Sequence, residues 1–193
     1  DAPGGNAALM FAPDQIKDRD ALAALRPILE SGGLLKIGFN IKFAAVLLAQ
    51  HGIIIANADD VQLMSYALDA GRGSQKLDSL AEHVLGHAVL SEGELIGSGR
   101  NKLTFEQVAI DRATAHSAEA ADVIHRLWRV LKPRLVAERM TAVYETLERP
   151  LVPVLARIER EEMGRAFDAG VQRLWMVNAG DIKPAEVNLS HWF

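Results

Sequence analysis

The sequence predicts an α/β domain with a small sheet and a predominantly helical C-terminal half. Two short apolar runs after glycine breaks, Leu34–Phe39 and Ile53–Ile55, have the length and side chains of strands. Stretches with apolar residues three and four apart precede, separate and follow them, as amphipathic helices require. Past about residue 104 only helical patterns remain. Two strands make no independent sheet, so the sheet is truncated or Ala7–Phe11 completes it.

The elements follow in order. Asp1–Asn6, rich in Gly and Pro, reads as a loose opening segment. Leu22, Leu25 and Leu29 then fall at helical spacing, with Pro27 predicting a kink or early end and Gly32-Gly33 a stop. After the first strand, Asn40 starts a helix through Val46, Leu47 and Leu48 that Gly52 closes. Asp59-Asp60 caps the helix carrying Leu63, Met64 and Leu68. Capping boxes are read at Ser79–Glu82 and Thr104–Gln107, the first helix ending at Gly86, with a glycine-bearing loop over Glu92–Lys102 between them. A long helix is predicted over Asp111–Leu131, with His116, Ala120, Ile124, Leu127 and Leu131 on one stripe and Pro133 interrupting or ending it. A last helix starts at Met140, its periodicity broken by Pro150 and Pro153.

Composition bounds the chemistry. Hydrophobic residues make up 49% and charged residues 24% of 193 residues, the balance of a globular protein. A net charge of −4 excludes a strongly basic nucleic-acid clamp and leaves only a local patch for such contact. Without cysteine there is no disulfide, thiolate metal site or catalytic thiol. No apolar run approaches a membrane span and no basic leader precedes one, so the expected setting is cytoplasmic. The opening at Asp1 without Met and the close at Trp192-Phe193 suggest a piece of a longer chain.

Recognised catalytic motifs are few. His83 and His87 have a zinc-gripping spacing, but Gly86 lies between them and no Glu follows the first; a surface pair is the simpler reading. His51 and His125 read as ordinary packing or surface residues. No Gly-x-Ser-x-Gly elbow, phosphate-binding loop or dinucleotide fingerprint occurs, and Gly97-Ser98-Gly99 reads as flexible loop. Arg126, Arg129 and Lys132 form either a solvated face or a phosphate-contacting edge, with Arg134 and Arg139 beyond; Arg100 and Lys102 suit a nucleic-acid backbone or simple solubility.

Several segments resemble, in order, the proofreading domain of family A DNA polymerases of the bacterial polymerase I type. Gly38-Phe39-Asn40-Ile41-Lys42-Phe43 is similar to the second exonuclease motif, and His116–Val123 to the third. Leu77–Glu82 with Gly99–Phe105 resembles the stretch between them, and Leu147–Glu159 the exit towards the polymerase domain. Ala12–Ile16 and Asp60–Gly71 also fit. The resemblance implies an RNase-H-like fold and a reaction run by two divalent metals, Mg or Mn, about 3.5–4 Å apart. In the family an Asp-x-Glu pair, an Asp of the second motif and an Asp of the third hold these metals, and a Tyr of the third orients the water.

This sequence departs at each of those positions. No Asp-x-Glu lies in the opening segment; Ala44 and Ala120 stand at the second- and third-motif Asp positions, and His116 at the Tyr position. Asn40, Lys42, Glu119 and Asp122 keep the pattern. The expectation is an exonuclease-like domain over residues 1–147, inactive and binding no metal of its own. Residues 148–193 then begin a linker or polymerase segment or form a divergent tail. Expected partners are the polymerase domain of the same parent chain and DNA, held weakly through Asn40, Lys42, Phe43, Arg100 and Lys102. The alternatives are an active exonuclease with Glu119, Asp122, Asp59 and Asp60 as unconventional ligands, and a non-catalytic helical interaction module.

Overall fold

The computed structural model describes residues 19–71, 74–97, 103 and 107–168. Its elements run α1 Arg19–Glu30, β1 Lys36–Gly38, α2 Ile41–Ala49, β2 Ala58–Asp60, α3 Val61–Asp69 and α4 Leu77–Leu80, which continues as a π turn over Ala81–Leu85. Then come α5 Glu92–Ile96, α6 Ile110–Ala137, α7 Thr141–Val143, a second π turn Tyr144–Glu148, and α8 Arg149–Asp168. Among the described residues the sheet is β1 and β2, parallel, with Lys36 opposite Ala58 and Gly38 opposite Asp60. With α2 between them they form the β–α–β unit that parallel pairing demands. The expected third strand, Ala7–Phe11, lies outside the described residues.

The second strand is not where β-branching placed it. Ile53 is buried and Ile54 is 72% exposed in an irregular stretch, and the strand follows at Ala58-Asp59-Asp60. What holds it there is polar. The Asp60 carboxylate accepts from Asn40 N (3.1 Å), Ile41 N (2.7 Å) and Gln62 N (2.9 Å), so one side chain caps α2 and α3 together. Asn40 itself adopts φ 53° and makes no side-chain cap, because its turn aims the α2 amides at Asp60. Two residues earlier, a Cβ at Gly38 would meet the end of the Ile41 side chain, which would have to shift.

Three further expectations are corrected. The Ser79–Glu82 capping box does not form: the helix begins at Leu77, and Ser79 N takes the Asp78 carboxylate at 2.6 Å. The Glu92–Lys102 loop contains α5, started by a Ser91–Glu94 capping box that drives Leu95 and Ile96 into the interior. Pro27, Pro133, Pro150 and Pro153 stop nothing. Each is exposed within or at the start of a continuing helix, where water satisfies the carbonyl a missing N–H leaves free. The Gly86 stop stands, at φ 62°. The Thr104–Gln107 box falls largely outside the described residues.

The core forms where α3 meets α6. Val61, Met64 and Ala67 pack with Val123, Leu127, Leu131 and Leu135, closed by Leu80, Ala81 and Tyr144. α6 also packs on β1, and α8 lies along α2. A long helix therefore backs the sheet, while the C-terminal arm braces the crossover helix.

Candidate functional site

The residues singled out by the sequence sit on α2 and the N-terminal half of α6. Helical spacing puts Ala113, His116, Ala120, Val123 and Leu127 on one face of α6. Ala113, Val123 and Leu127 are buried, whereas His116 and Ala120 between them are half-buried. The cover of the inward face opens at these two residues and closes again. Its lining there is a methyl group and an imidazole. His116 Nδ1 is buried without a hydrogen-bond partner. On α2, Ala44 is half-buried beside Phe43, which is 45% exposed.

The acidic residues nearby in sequence are committed elsewhere. Glu119 takes His87 Nε2 at 3.2 Å on one oxygen and the Leu90 amide at 3.3 Å on the other, tying the stretch after α4 to α6. Asp122 pairs with Arg126 at 3.6 Å. Asp60 is the double cap; burial raises its pKa above the ordinary 3.8, opposed by the amide bonds from Ile41, Gln62 and Asn40. Among the described residues no three His, Asp or Glu side chains converge to hold a metal ion.

Asp59, 1% exposed, sits in the densest polar cluster. It accepts from Trp128 Nε1 (2.8 Å) and Tyr144 Oη (3.1 Å), and Lys132 Nζ and Arg149 Nε stand 3.1 and 3.5 Å away. Lys132 and Arg149 also share Glu145, at 2.7 and 2.8 Å, and Lys132 rides over the Tyr144 ring. Tyr144 accepts from Asp60 N at 2.9 Å, and burial pushes its phenol far above the ordinary value. Burial opposes ionisation of Glu145, yet its Lys132 and Arg149 partners outweigh it and hold the pKa below 4.5. β2, α6 and the arm from Tyr144 to Arg149 thus meet in a saturated cluster with no open valence.

Lys132 accordingly points inward, which corrects the reading of Arg126, Arg129 and Lys132 as one outward edge; Arg134 likewise pairs with Asp69 and Glu138. Lys42 ion-pairs with Glu159 of α8, so a phosphate would have to displace that partner. His125 stacks on Trp128, and His51 and His83 are exposed. Arg100 and Lys102 lie outside the described residues. An open cleft of about 350 Å³ between α2, β2 and the arm is lined by Ile41, Ala45, Asn57, Tyr144, Arg149 and Val152 among others. Its Arg149 side chain donates to both Asn57 Oδ1 and Glu145, which makes it a packing cleft. Trp128, Tyr144 and Glu145 carried no motif in the sequence, and Arg149 lay in the Leu147–Glu159 segment without being singled out; the one available signal for the cluster was Glu145 and Arg149 at ion-pairing spacing.

Residues 5–136 match the family model described as 3′–5′ exonuclease. The chain is 51% identical over 149 residues to DNA polymerase I of Rhizobium leguminosarum, covering 77% of this chain and 15% of that protein. With DNA polymerase I of Pseudomonas aeruginosa it shares 42% over 167 residues, 84% of this chain and 18% of the relative. It therefore spans less than a fifth of either relative's length. Among solved structures, Brucella melitensis NrnC superposes with a TM-score of 0.59 at 18% identity, over 74% of this chain and 65% of that one, a likeness of fold.

Proposed function

Because the chain belongs to the 3′–5′ exonuclease family found in DNA polymerase I, we propose that it is an exonuclease domain without hydrolytic chemistry, kept as a DNA-facing scaffold beside the polymerase domain of its parent chain. The single observation behind this is the pair Ala44 and Ala120, methyl groups at the two positions where the family resemblance calls for metal-binding carboxylates.

The donor set does not fit the family's two divalent metals. Two adjacent dications repel, and only several anionic oxygens make the arrangement stable. The half-buried stretch of α6 offers one imidazole nitrogen, His116 Nδ1, and magnesium prefers oxygen. Among the described residues no neighbouring acid substitutes. Asp59 and Asp60 are saturated by internal donors, and Glu119 and Asp122 are paired. No hydrolytic step is assigned to this chain.

Loss of chemistry leaves reasons to keep the fold. The half-exposed Phe43 ring suits stacking on a base. Asn40 and Lys42 share its motif, and Arg100 and Lys102 supply charge for a backbone. Binding through so few cations is weak and salt-sensitive.

The test is incubation of the purified chain with a 3′-labelled single strand in Mg²⁺ or Mn²⁺, alongside metal titration by calorimetry. The expected result is an intact strand and no saturable heat. Metal-dependent shortening that co-purifies with the chain, and disappears in Glu119→Gln or Asp122→Asn, overturns the proposal in favour of unconventional ligands.

A further inference from the structure

Lys42 is the one cation of the Gly38–Phe43 segment, and it is already engaged. Its ammonium meets the carboxylate of Glu159, which α8 brings across from 117 residues further along the chain. The Lys42 side chain is 37% exposed and that of Glu159 31%, so water and a polyanion both reach the pair. α8 lies along α2, and Ala156, one helical turn before Glu159, is buried. Packing of the arm, rather than the charge pair alone, therefore sets where the carboxylate stands.

The pair is lopsided. Glu159 Oε1 takes the ammonium, whereas Oε2 is buried and has no hydrogen-bond partner among the described residues. A carboxylate oxygen withdrawn from water without a donor costs free energy. Turning Glu159 outwards hydrates that oxygen, so the closed pair is held less firmly than its charges suggest. A phosphodiester offers Lys42 the same chemistry, an anionic oxygen for a charge-assisted hydrogen bond.

We propose that Glu159 is a built-in competitor for a nucleic-acid strand: its carboxylate takes the place of a backbone phosphate at Lys42, and DNA binds α2 by exchanging one anion for the other. This rests on the DNA-facing reading above and adds to it a negative regulator carried by the facing helix. The apparent affinity of a ligand falls by the fraction of the protein open to receive it. For an ion pair this accessible the closed form outweighs the open one by only about 1.4- to 5-fold, so Glu159 weakens strand binding about two- to sixfold.

Fluorescence anisotropy of a dye-labelled oligothymidylate at low salt tests the exchange in the full chain. Glu159→Gln keeps the side-chain shape without the charge, and should tighten binding about two- to sixfold. Glu159→Ala should do the same, since it also removes the carbonyl that a Gln could still offer Lys42. In a Lys42→Met background neither substitution should change the affinity. Labelling with acetic anhydride, read by mass spectrometry, follows Lys42 without DNA; its rate should rise at least twofold when Glu159 is replaced. Tightening that persists in Lys42→Met overturns the proposal, because Glu159 then acts through general repulsion of the strand. Wild-type binding that both Glu159 variants leave unchanged overturns it too, and leaves the DNA-facing reading standing. No binding by any variant, with Lys42 labelled faster once Glu159 is replaced, removes the DNA-facing reading and the exchange with it.

Discussion

Two polar regions of this chain were treated in opposite ways. Around Asp59, a buried carboxylate is met by Trp128, Tyr144, Lys132 and Arg149, and every group has a partner. Along α2 and α6, the positions where the family calls for carboxylates hold Ala44 and Ala120. The difference teaches that a buried acid survives here where it joins elements. An acid whose only partner would be a metal ion costs the apo fold its desolvation and gives nothing back without the ion. On the proposed function, structure and chemistry draw on separate carboxylates, so one set can vanish while the other stands.

The largest expected effect breaks the intact region. Asp59→Ala leaves the partly exposed Lys132 and Arg149 with Glu145 as their shared acidic partner and the Trp128 and Tyr144 donors unpaired; a loss of about 3 kcal/mol is expected. Urea denaturation followed by circular dichroism measures it. A loss under about 1 kcal/mol would mean that the cluster does not hold β2 against α6 and the arm. The next effect is smaller and depends on pH. Glu145 has its pKa depressed in the fold, so its contribution is complete above about 4.5 and is lost as pH falls through the lower folded value. Asp60 runs the other way, its contribution complete below 3.8 and lost as pH rises through the raised value. Comparing the chain with Glu145→Gln across pH 3 to 7 isolates the first term. The variant is expected to be about 1 kcal/mol less stable at neutral pH, and the gap should close in acid. A gap independent of pH would make Glu145 a packing residue only.

Helices were legible in the sequence because their apolar spacing and their burial are one signal. Ile41–Ala49, Val61–Asp69 and the long α6 all follow it. The strand at Ala58–Asp60 was not, because polar residues hold it: Asp60 is placed by amides of α2 and Asp59 by side chains 69 to 90 residues away. Ile53–Ile55 signalled burial, which Ile53 delivers, without signalling extended pairing. Prolines misled because their cost depends on which way they face, and all four face solvent. The candidate site was readable only by resemblance. An alanine carries no chemical signature of the aspartate a family expects, and spacing alone would have passed over Ala44 and Ala120 as ordinary helix residues.

The smallest expected effect sharpens the emptied region. His116 is half-buried with Nδ1 unpartnered, a polar atom paying for burial without a bond in return. If the imidazole serves nothing but space filling, His116→Leu exchanges an unpartnered ring nitrogen for an aliphatic group of similar reach. Stability should then stay level or rise by up to about 1 kcal/mol, since removing an orphaned buried polar group relieves its desolvation. Paired with Asp59→Ala under the same denaturation assay, the two variants should move in opposite directions or differ by several-fold in size. A clear loss in His116→Leu, comparable to that of Asp59→Ala, would show that the imidazole is held by an interaction the fold depends on, and the contrast between the two regions would collapse.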